Sequence, residues 1–367
     1  MKEAAPLQQV DRTYVRLRGR KLTYFSGCDY FRLTSHPAVL AAVREGARQF
    51  GLNVAASRLT TGNHLLYQKL EREIARFYKA ESALLVSTGY VSNLVAAQTL
   101  AGEFSHALLD EQAHLSLRDA AAMLNCPVLK FRHRDAGALA EALRRCGRGA
   151  RPIVLTDGMF ARDGMVAPLR AYLKLLPRDG MILVDDAHGG GTVGKTGGGA
   201  VEIEGVSRRR LIQCVTLSKA FGVYGGAILC SRKLRQQILD RSHLFVGSTP
   251  LPLPLANAAL TAIRILKTYP SLRRRLTANT SRVRRALRLA GFNVPDAPGP
   301  FVTIRLKPRA AERLRKALLA ASILPPLGKY PGSPGPGHLR FVISSEHTGD
   351  QLEQLIGVLR GFAQDAC

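Results

Sequence analysis

Short hydrophobic runs recur along the first two thirds of the chain, and stretches with helical spacing of apolar residues separate them. Such runs are typical of strands buried on both faces of a parallel sheet, and the intervening stretches are typical of helices packed on it. The predicted strands are ALLVS (83–87), ALLD (107–110), VLKF (128–131), PIVLTD (152–157), MILVDD (181–186), LIQCVTL (211–217) and GAILCS (226–231). The alternation predicts an α/β fold with a large three-layer domain and a mostly parallel sheet.

A second pattern begins near residue 250. A helical stretch over 254–290, broken at Tyr269-Pro270, leads into a separate series of strand, helix, strand and helix. A Pro/Gly-rich loop over 325–338 interrupts that series, which predicts a small C-terminal α+β domain. We therefore expect three parts, namely an N-terminal segment over 1–36 that packs with the small domain, a large domain over 37–265 and the small domain over 266–367.

Composition narrows the class of protein. Hydrophobic residues form 46% of the chain and charged residues 22%, which excludes a disordered or collagen-like chain. No apolar run is long enough for a membrane span and no signal-peptide core is visible, so we expect a cytoplasmic protein. The six cysteines lie far apart without a CxxC pair, which argues against a zinc site or a disulfide framework.

The charge balance is strongly basic. The chain has 53 Lys and Arg against 27 Asp and Glu, a formal net charge of +26. Such a field attracts polyanions, which leaves a nucleic-acid-binding protein as an alternative class. The basic residues are spread over the whole chain, as on solvated faces, and no helix-turn-helix, zinc-finger or RNA-binding signature is present. We therefore expect no specific nucleic-acid partner.

Candidate chemistry lies where predicted strands end, which is where open α/β sheets hold ligands. Lys219 directly follows the apolar strand LIQCVTL, and a desolvated amine there can lose its proton and attack an aldehyde. Asp185 closes another apolar strand, and a buried carboxylate needs a positive partner such as a protonated pyridine nitrogen.

Two further features fit the same ligand. The ring of His114 could stack on a flat cofactor. Gly89 and Tyr90 open a helix whose N–H groups would hold a phosphate, and Thr216 would add a hydroxyl donor. An aldehyde-reactive amine, a carboxylate for a pyridinium, a stacking ring and a phosphate site together indicate pyridoxal 5′-phosphate.

Simpler interpretations exist for each residue. Lys219 could be a solvated strand-end lysine, and Asp185 and His188 could be loop caps before a Gly-rich turn. The segment from Gly189 to Thr196 also satisfies the nucleotide-binding pattern GxxxxGK[ST]. That pattern needs a helix directly after it, whereas a glycine-rich stretch without helical spacing follows here, so we reject a nucleotide hydrolase.

Nine segments form a motif series that extends over nearly the whole chain. They are SGCDYFRLTSHPAV (26–39), ASRLTTGNHLLYQKLE (56–71), STGYVSN (87–93), DEQAHLSL (110–117), TDGMFARDGMVAPL (156–169), VDDAHGGGTVG (184–194), TLSKAFGVYGG (216–226), STPLPLPLANA (248–258) and HLRFVIS (338–344). In these motifs and their order the chain resembles the α-oxoamine synthases, which are pyridoxal-phosphate-dependent C-acyltransferases of fold type I.

The resemblance implies a role for each candidate residue. Lys219 would bind the cofactor aldehyde, Asp185 would pair with its ring nitrogen, and His188 would donate to its phenolic oxygen. The other implied roles are ring stacking by His114, phosphate binding by Gly89, Tyr90 and Thr216, phosphate binding in the neighbouring subunit by Ser248 or Thr249, and capture of the amino-acid carboxylate by Arg340. The active site would therefore be shared within a homodimer.

The implied reaction joins an amino acid to an acyl thioester with loss of CO2. L-Alanine is favoured as the amino acid, with glycine or serine as alternatives, and the acyl donor would be a coenzyme A or carrier-protein thioester. Some positions differ from the family pattern, notably Cys28 in place of an asparagine, Asp157 in place of a glutamate and Ala161 in place of a serine. These differences bear on the acyl substrate rather than on the cofactor.

Overall fold

A computed structural model describes residues 5–326 and 338–364. The chain forms two compact units. The larger unit comprises His36–Phe160 and Val166–Tyr269, and the smaller one lies within Met1–Ser35, Ala161–Met165 and Pro270–Cys367. The expected boundary after residue 36 lies beside the start of the larger unit, and the expected boundary after residue 265 lies four residues before its end.

The strands of the described residues follow the hydrophobic runs closely. They are β1 (Gln8–Gln9), β2 (Tyr14–Leu17), β3 (Arg20–Thr23), β4 (Ser82–Val86), β5 (His106–Asp110), β6 (Val128–Phe131), β7 (Pro152–Asp157), β8 (Met181–Asp185), β9 (Leu211–Thr216), β10 (Gly226–Cys230), β11 (Phe301–Arg305) and β12 (His338–Val342). Each strand predicted above is present, within one or two residues at either end.

Helices fill most of the intervals between the strands. They are α1 (Pro37–Phe50), α2 (Leu65–Tyr78), α3 (Gly89–Thr99), α4 (Leu115–Met123), α5 (Ala136–Arg145), α6 (Leu169–Leu175), α7 (Ala200–Ile203), α8 (Arg232–Arg241), α9 (His243–Val246), α10 (Leu253–Thr268), α11 (Ser271–Leu289), α12 (Pro308–Ala320) and α13 (Gly349–Gln364). Among the described residues, no helix combines the length and the apolar composition that crossing a bilayer requires.

The larger unit is built on a seven-stranded sheet in the order β4-β10-β9-β8-β7-β5-β6. The predicted α/β class with a mostly parallel sheet is therefore confirmed. One detail is wrong: β10 was expected to be parallel, but it pairs antiparallel with both β4 and β9. The connection from β9 spans only residues 217–225, and a parallel crossover needs about a dozen residues or more, so the chain reverses direction instead.

The smaller unit has its own core, formed by α11, α12 and α13 against the antiparallel pair β11-β12. The N-terminal segment belongs to this unit, because Val342 N donates to Phe25 O at 2.9 Å and Leu324 N donates to Thr23 O at 2.9 Å. Most of the Pro/Gly-rich loop expected over 325–338 lies outside the described residues.

A buried ion pair fixes the start of the larger unit. Glu71 of α2 accepts from Arg58 and, at 3.1 Å, from Arg235, and it also accepts from the backbone N–H of Leu85 in β4 at 2.9 Å. The side chains of Arg58 and Glu71 are 7% and 6% exposed. A charge so deeply buried needs its partner, so this pair ties α2 to the edge of the sheet that leads to α3.

We expect Glu71→Gln to lower the free energy of unfolding by about 3 kcal/mol or more, because it leaves the Arg58 charge buried and uncompensated. The matched control is Glu73→Gln on the same helix. Glu73 pairs with Arg76 and Lys267 near the surface, so we expect its loss to cost about 1 kcal/mol or less. Urea unfolding of both variants measures the difference, and equal losses would contradict the role of the buried pair.

Candidate active site

The carboxyl ends of the parallel strands bring the candidate residues to one edge of the sheet. Asp185 ends β8, Thr216 ends β9 and Asp157 ends β7. His114 follows β5, and its backbone N–H donates to the Asp157 carboxylate at 2.9 Å. Parallel pairing of these strands forces their ends together, so residues far apart in sequence become neighbours.

Lys219 lies in the short turn that reverses the chain between β9 and β10. That turn is closed by Leu217 N to Gly225 O and by Val223 N to Leu217 O, each at 2.9 Å. The Lys219 amine is half-buried and its Nζ lies 2.8 Å from Nε2 of His188, which is itself buried. The two side chains are therefore in direct contact, and the roles predicted for them stay predictions.

Asp185 is held by three neutral donors. Its Oδ2 accepts from the Asn93 amide at 2.6 Å and from the Ser116 hydroxyl at 3.2 Å, and its Oδ1 accepts from the Ala187 backbone N–H at 3.1 Å. Neutral donors orient a buried carboxylate without cancelling its charge. Asp185 is thus positioned to receive a cationic partner.

His114 caps the N-terminus of α4 and stays neutral. Its Nδ1 lies 2.8 Å from the Ser116 hydroxyl and also accepts from the Ser116 backbone N–H. Burial and the nearby Lys219 and Arg118 lower the pKa of His114, although the Asp185 carboxylate opposes the shift. A neutral imidazole can stack on a cationic ring without charge repulsion, which suits the predicted role.

Asp157 adds a second carboxyl group to this edge. Burial, followed by repulsion from Asp185, raises the pKa of Asp157 well above its usual range. Asp157 therefore lies in an environment that disfavours its charged form.

The N-terminus of α3 provides the candidate phosphate site. A Cβ on Gly89 would lie 2.8 Å from Cβ of Thr216, so only glycine lets the helix approach the end of β9. Thr88 caps the helix through its hydroxyl, which accepts from Val91 N at 3.2 Å. The Tyr90 hydroxyl instead donates to Asp119, which raises the pKa of Tyr90, so Tyr90 can offer the ligand only its backbone N–H.

Three further predicted residues are Ser248, Thr249 and Arg340. Ser248 and Thr249 line a pocket in the larger unit, and the Ser248 hydroxyl donates to Leu244 O. Arg340 lies on β12 in the smaller unit, where its guanidinium stacks 3.9 Å from the Phe301 ring centroid and contacts the Cys28 sulfur at 4.0 Å. Their roles in phosphate and carboxylate binding stay predictions.

Two residues that sequence reasoning did not single out complete the site. Asn93 and Ser116 are fully buried, and Asn93 also donates to the Ser116 hydroxyl at 2.9 Å. Asn93 lies four positions after Gly89 on α3, so both project from one face of the helix. Ser116 lies two positions after His114. Only their closeness in sequence to the motif residues Gly89 and His114 could have indicated that they belong to the site.

The nucleotide-binding pattern is confirmed as a false match. The helix after it, α7, has four residues and begins at Ala200, beyond the Gly-Lys-Thr end of the pattern. The backbone N–H of Gly198 donates to Glu202 at 2.8 Å, and the backbone N–H and hydroxyl of Thr196 donate to the same carboxylate. The loop therefore binds an anion that belongs to its own chain.

The residues present fit pyridoxal 5′-phosphate. Lys219 offers the amine for its aldehyde, Asp185 offers the negative charge for its ring nitrogen, and the N-terminus of α3 offers N–H groups for its phosphate. The close approach of Gly89 to Thr216, which brings the N-terminus of α3 to the end of β9, and the neutral donors around Asp185 are observations of this chain that suit such a ligand.

This fold and this site define a pyridoxal-phosphate-dependent transferase of fold type I. Comparison with known proteins agrees. The chain belongs to the aminotransferase class I and II family, which it matches over residues 23–359. The expected cofactor and the expected enzyme class are thereby confirmed, as is the resemblance noted from the sequence.

Similar proteins span nearly the whole chain. The 8-amino-7-oxononanoate synthase of Thioalkalivibrio sulfidiphilus is 35% identical over 93% of this chain and 88% of its own. The 8-amino-7-oxononanoate synthase of Methylococcus capsulatus is 34% identical over 95% of this chain and 90% of its own. A solved serine palmitoyltransferase from S. paucimobilis with a bound PLP-myriocin aldimine is 27% identical, with a TM-score of 0.91 over 98% of this chain and 91% of its own.

We expect Gly89→Ala to weaken pyridoxal 5′-phosphate binding about tenfold or more, because the added Cβ overlaps Thr216 and pushes the N-terminus of α3 away from the phosphate. The control is Gly357→Ala in α13, where an added Cβ meets nothing within 4 Å. Titration of the cofactor-free proteins with pyridoxal phosphate gives both dissociation constants. An unchanged constant for Gly89→Ala would refute the phosphate site.

Proposed function

We propose that the protein condenses L-alanine with a pimeloyl-type acyl thioester to give 8-amino-7-oxononanoate, a step of biotin synthesis. The observation that carries the proposal is the contact of Lys219 Nζ with His188 Nε2 beside the buried carboxylate of Asp185. The choice of substrates is supported by the relatives named 8-amino-7-oxononanoate synthase, which align over more than nine tenths of the chain.

The reaction balances with the uptake of one proton. The α-proton of alanine leaves before the C–C bond forms and a proton returns to the α-carbon after CO2 is lost, while the departing thiolate takes up one proton from solvent. A new C–C bond forms between the α-carbon of alanine and the carbonyl carbon of the thioester. The C–S bond breaks and the thiol leaves, and the bond from the α-carbon to the carboxylate breaks to release CO2. When bound, pyridoxal phosphate supplies the electron sink that stabilises negative charge at the α-carbon.

The side chains at the site have separate roles in the proposed reaction. Lys219 would hold the cofactor aldehyde, and its Nζ would serve as the base that takes the α-proton. His188 lies within hydrogen-bond distance of that nitrogen and orients it. Asp185 stabilises positive charge on the ring nitrogen, and Asn93 and Ser116 hold its carboxylate in place.

The remaining predicted residues complete the proposal. His114 stacks on the cofactor ring, the backbone N–H groups of Gly89 and Tyr90 bind its phosphate with the Thr216 hydroxyl, and Arg340 binds the amino-acid carboxylate through its planar fork. The net charge of +26 would raise the encounter rate with a coenzyme A thioester or an acidic carrier protein.

A second candidate is a related condensation that uses serine or glycine. The similarity to serine palmitoyltransferase structures, with a TM-score of 0.91, favours keeping it as the alternative. The identity to that structure is 27%, lower than the 34% and 35% to the two synthases, so alanine remains our choice.

The purified holoenzyme should form an amino ketone from L-alanine and pimeloyl-coenzyme A or a pimeloyl carrier protein, detected by mass spectrometry. We expect Lys219→Ala to lower the rate at least about a thousandfold, since this residue supplies both the amine and the base. Lys195→Ala, in the false nucleotide pattern, is the control and should leave the rate unchanged. Faster product formation from serine or glycine than from alanine would favour the alternative.

We further propose that the active protein is a homodimer in the cytoplasm. Leu52 and Leu65 of the larger unit are 72% and 76% exposed, and the rings of the nearby Phe50 and His64 lie 5.3 Å apart, so the two leucines lie in one region of the surface, which would pack against a second copy. The dimer would carry Ser248 or Thr249 to the phosphate of the neighbouring subunit. The five described cysteines are free thiols, which is consistent with a reducing compartment.

We expect Leu65→Asp to dissociate the dimer and to weaken binding of pyridoxal phosphate, because a charge cannot be buried in the interface without a partner. Leu289→Asp in the smaller unit is the matched control, since Leu289 is 75% exposed. Sedimentation velocity measures the mass of each variant. A monomeric parent, or a Leu65→Asp variant that remains dimeric, would contradict this interface.

A further inference from the structure

The glycine-rich loop over 187–199 has no role in the proposed chemistry, although His188 lies at its start. Glu202 holds the far end of the loop through Thr196 and Gly198, as described above. A second carboxylate, that of Asp186, holds the loop where it enters α7. Asp186 follows the cofactor-pairing Asp185 directly in the chain and is completely buried.

Asp186 links the loop to the centre of the sheet. Its Oδ2 accepts from the backbone N–H of Ala200 at 2.8 Å and from the side-chain amide of Gln213 at 2.6 Å. Gln213 lies within β9 and is fully buried. The carboxylate therefore connects the end of the loop to the strand that leads to Lys219.

The surrounding backbone is built to accept this carboxylate. A Cβ on Gly158, Gly189 or Gly199 would lie 2.5, 2.1 or 1.9 Å from an oxygen of Asp186. No side chain fits at such distances, so three glycines leave the space that the carboxylate fills. Gly158 follows β7, and Gly189 and Gly199 lie in the loop, so the fit constrains the loop after His188.

His188 lies in the part of the loop that Asp186 holds. Asp186 N donates to Cys214 O in β9 at 2.8 Å, and Gly190 N donates to Asp186 O at 2.8 Å, so the backbone is held two residues before and two residues after His188. We infer that Asp186 is a positioning residue that holds His188 against Lys219 by fastening the loop over 187–199 to β9. The inference rests on the proposed role of Lys219.

Hydrogen-bond acceptance, rather than charge, is what the geometry requires of Asp186. Burial raises its pKa to about 7, with Asp185 adding repulsion and Gln213, Ala200 N and Arg208 opposing the shift. Its Oδ1 has no hydrogen-bond partner within the described part of the chain. An asparagine can place its oxygen where Oδ2 accepts both bonds and its amide where Oδ1 lies.

The test compares Asp186→Ala, Asp186→Asn and the control Glu202→Ala as holoenzymes. We expect Asp186→Ala to move the pH midpoint of the bound-cofactor absorbance by about half a unit or more, because His188 no longer contacts the Lys219 nitrogen. We expect its kcat to fall about tenfold or more at similar KM. Asp186→Asn should match the parent in both. Glu202→Ala should lose thermal stability without moving the midpoint.

Several results would overturn the inference. It fails if Asp186→Ala keeps the parent's midpoint, if Asp186→Asn is as impaired as Asp186→Ala, or if Glu202→Ala moves the midpoint equally. Should Asp186→Ala not fold, Gln213→Met removes one of the two bonds and must move the midpoint in its place. Borohydride reduction and mass mapping of the parent distinguish failure of the proposed function from failure of this inference. A label on another lysine refutes the proposed function itself. A label on Lys219 with an unmoved midpoint in Asp186→Ala refutes only this inference.

Discussion

The site depends on the buried carboxylate of Asp185, which neutral donors hold at the end of β8. Asp185 accepts from an amide, a hydroxyl and a backbone N–H, and burial and repulsion from Asp185 raise the pKa of the neighbouring Asp157. A cationic ligand would offset the cost of desolvating the Asp185 carboxylate. Binding of a pyridinium ring and the chemistry it performs thus draw on the same electrostatic feature.

The fold creates this site by bringing the carboxyl ends of parallel strands together. Each strand delivers one or two polar residues where its backbone pairing stops, and the loops carry the rest. Lys219 reaches the site because β9 turns back directly into β10, which is also why β10 runs against its neighbours. The short connection between β9 and β10 therefore has two effects. It makes the sheet mixed rather than fully parallel, and it places the reactive amine.

Sequence reasoning predicted the sheet well because its strands are hydrophobic on both faces and stand out as continuous runs. It could also place Lys219, Asp185, His188 and His114 at strand ends. It could not identify Asn93 and Ser116, because amides and hydroxyls are common on helices and only the folded chain shows that both donate to one carboxylate. The orientation of β10 could have been predicted, because only residues 218–225 separate the two predicted strands and a parallel crossover needs about a dozen residues or more.

The glycine-rich loop shows how one pattern can serve two purposes. Glycines that leave space for a phosphate in a nucleotide site here leave space for Asp186 and Glu202, so the sequence signature indicates a bound anion but not whether it belongs to a ligand or to the chain itself.

The most direct test of the central claim is the protonation state of the cofactor ring nitrogen, measured by nitrogen NMR on holoenzyme loaded with isotope-labelled pyridoxal phosphate. The account predicts a protonated nitrogen at neutral pH in the parent and a neutral one in Asp185→Asn, whereas the same protonation state in both proteins would contradict it.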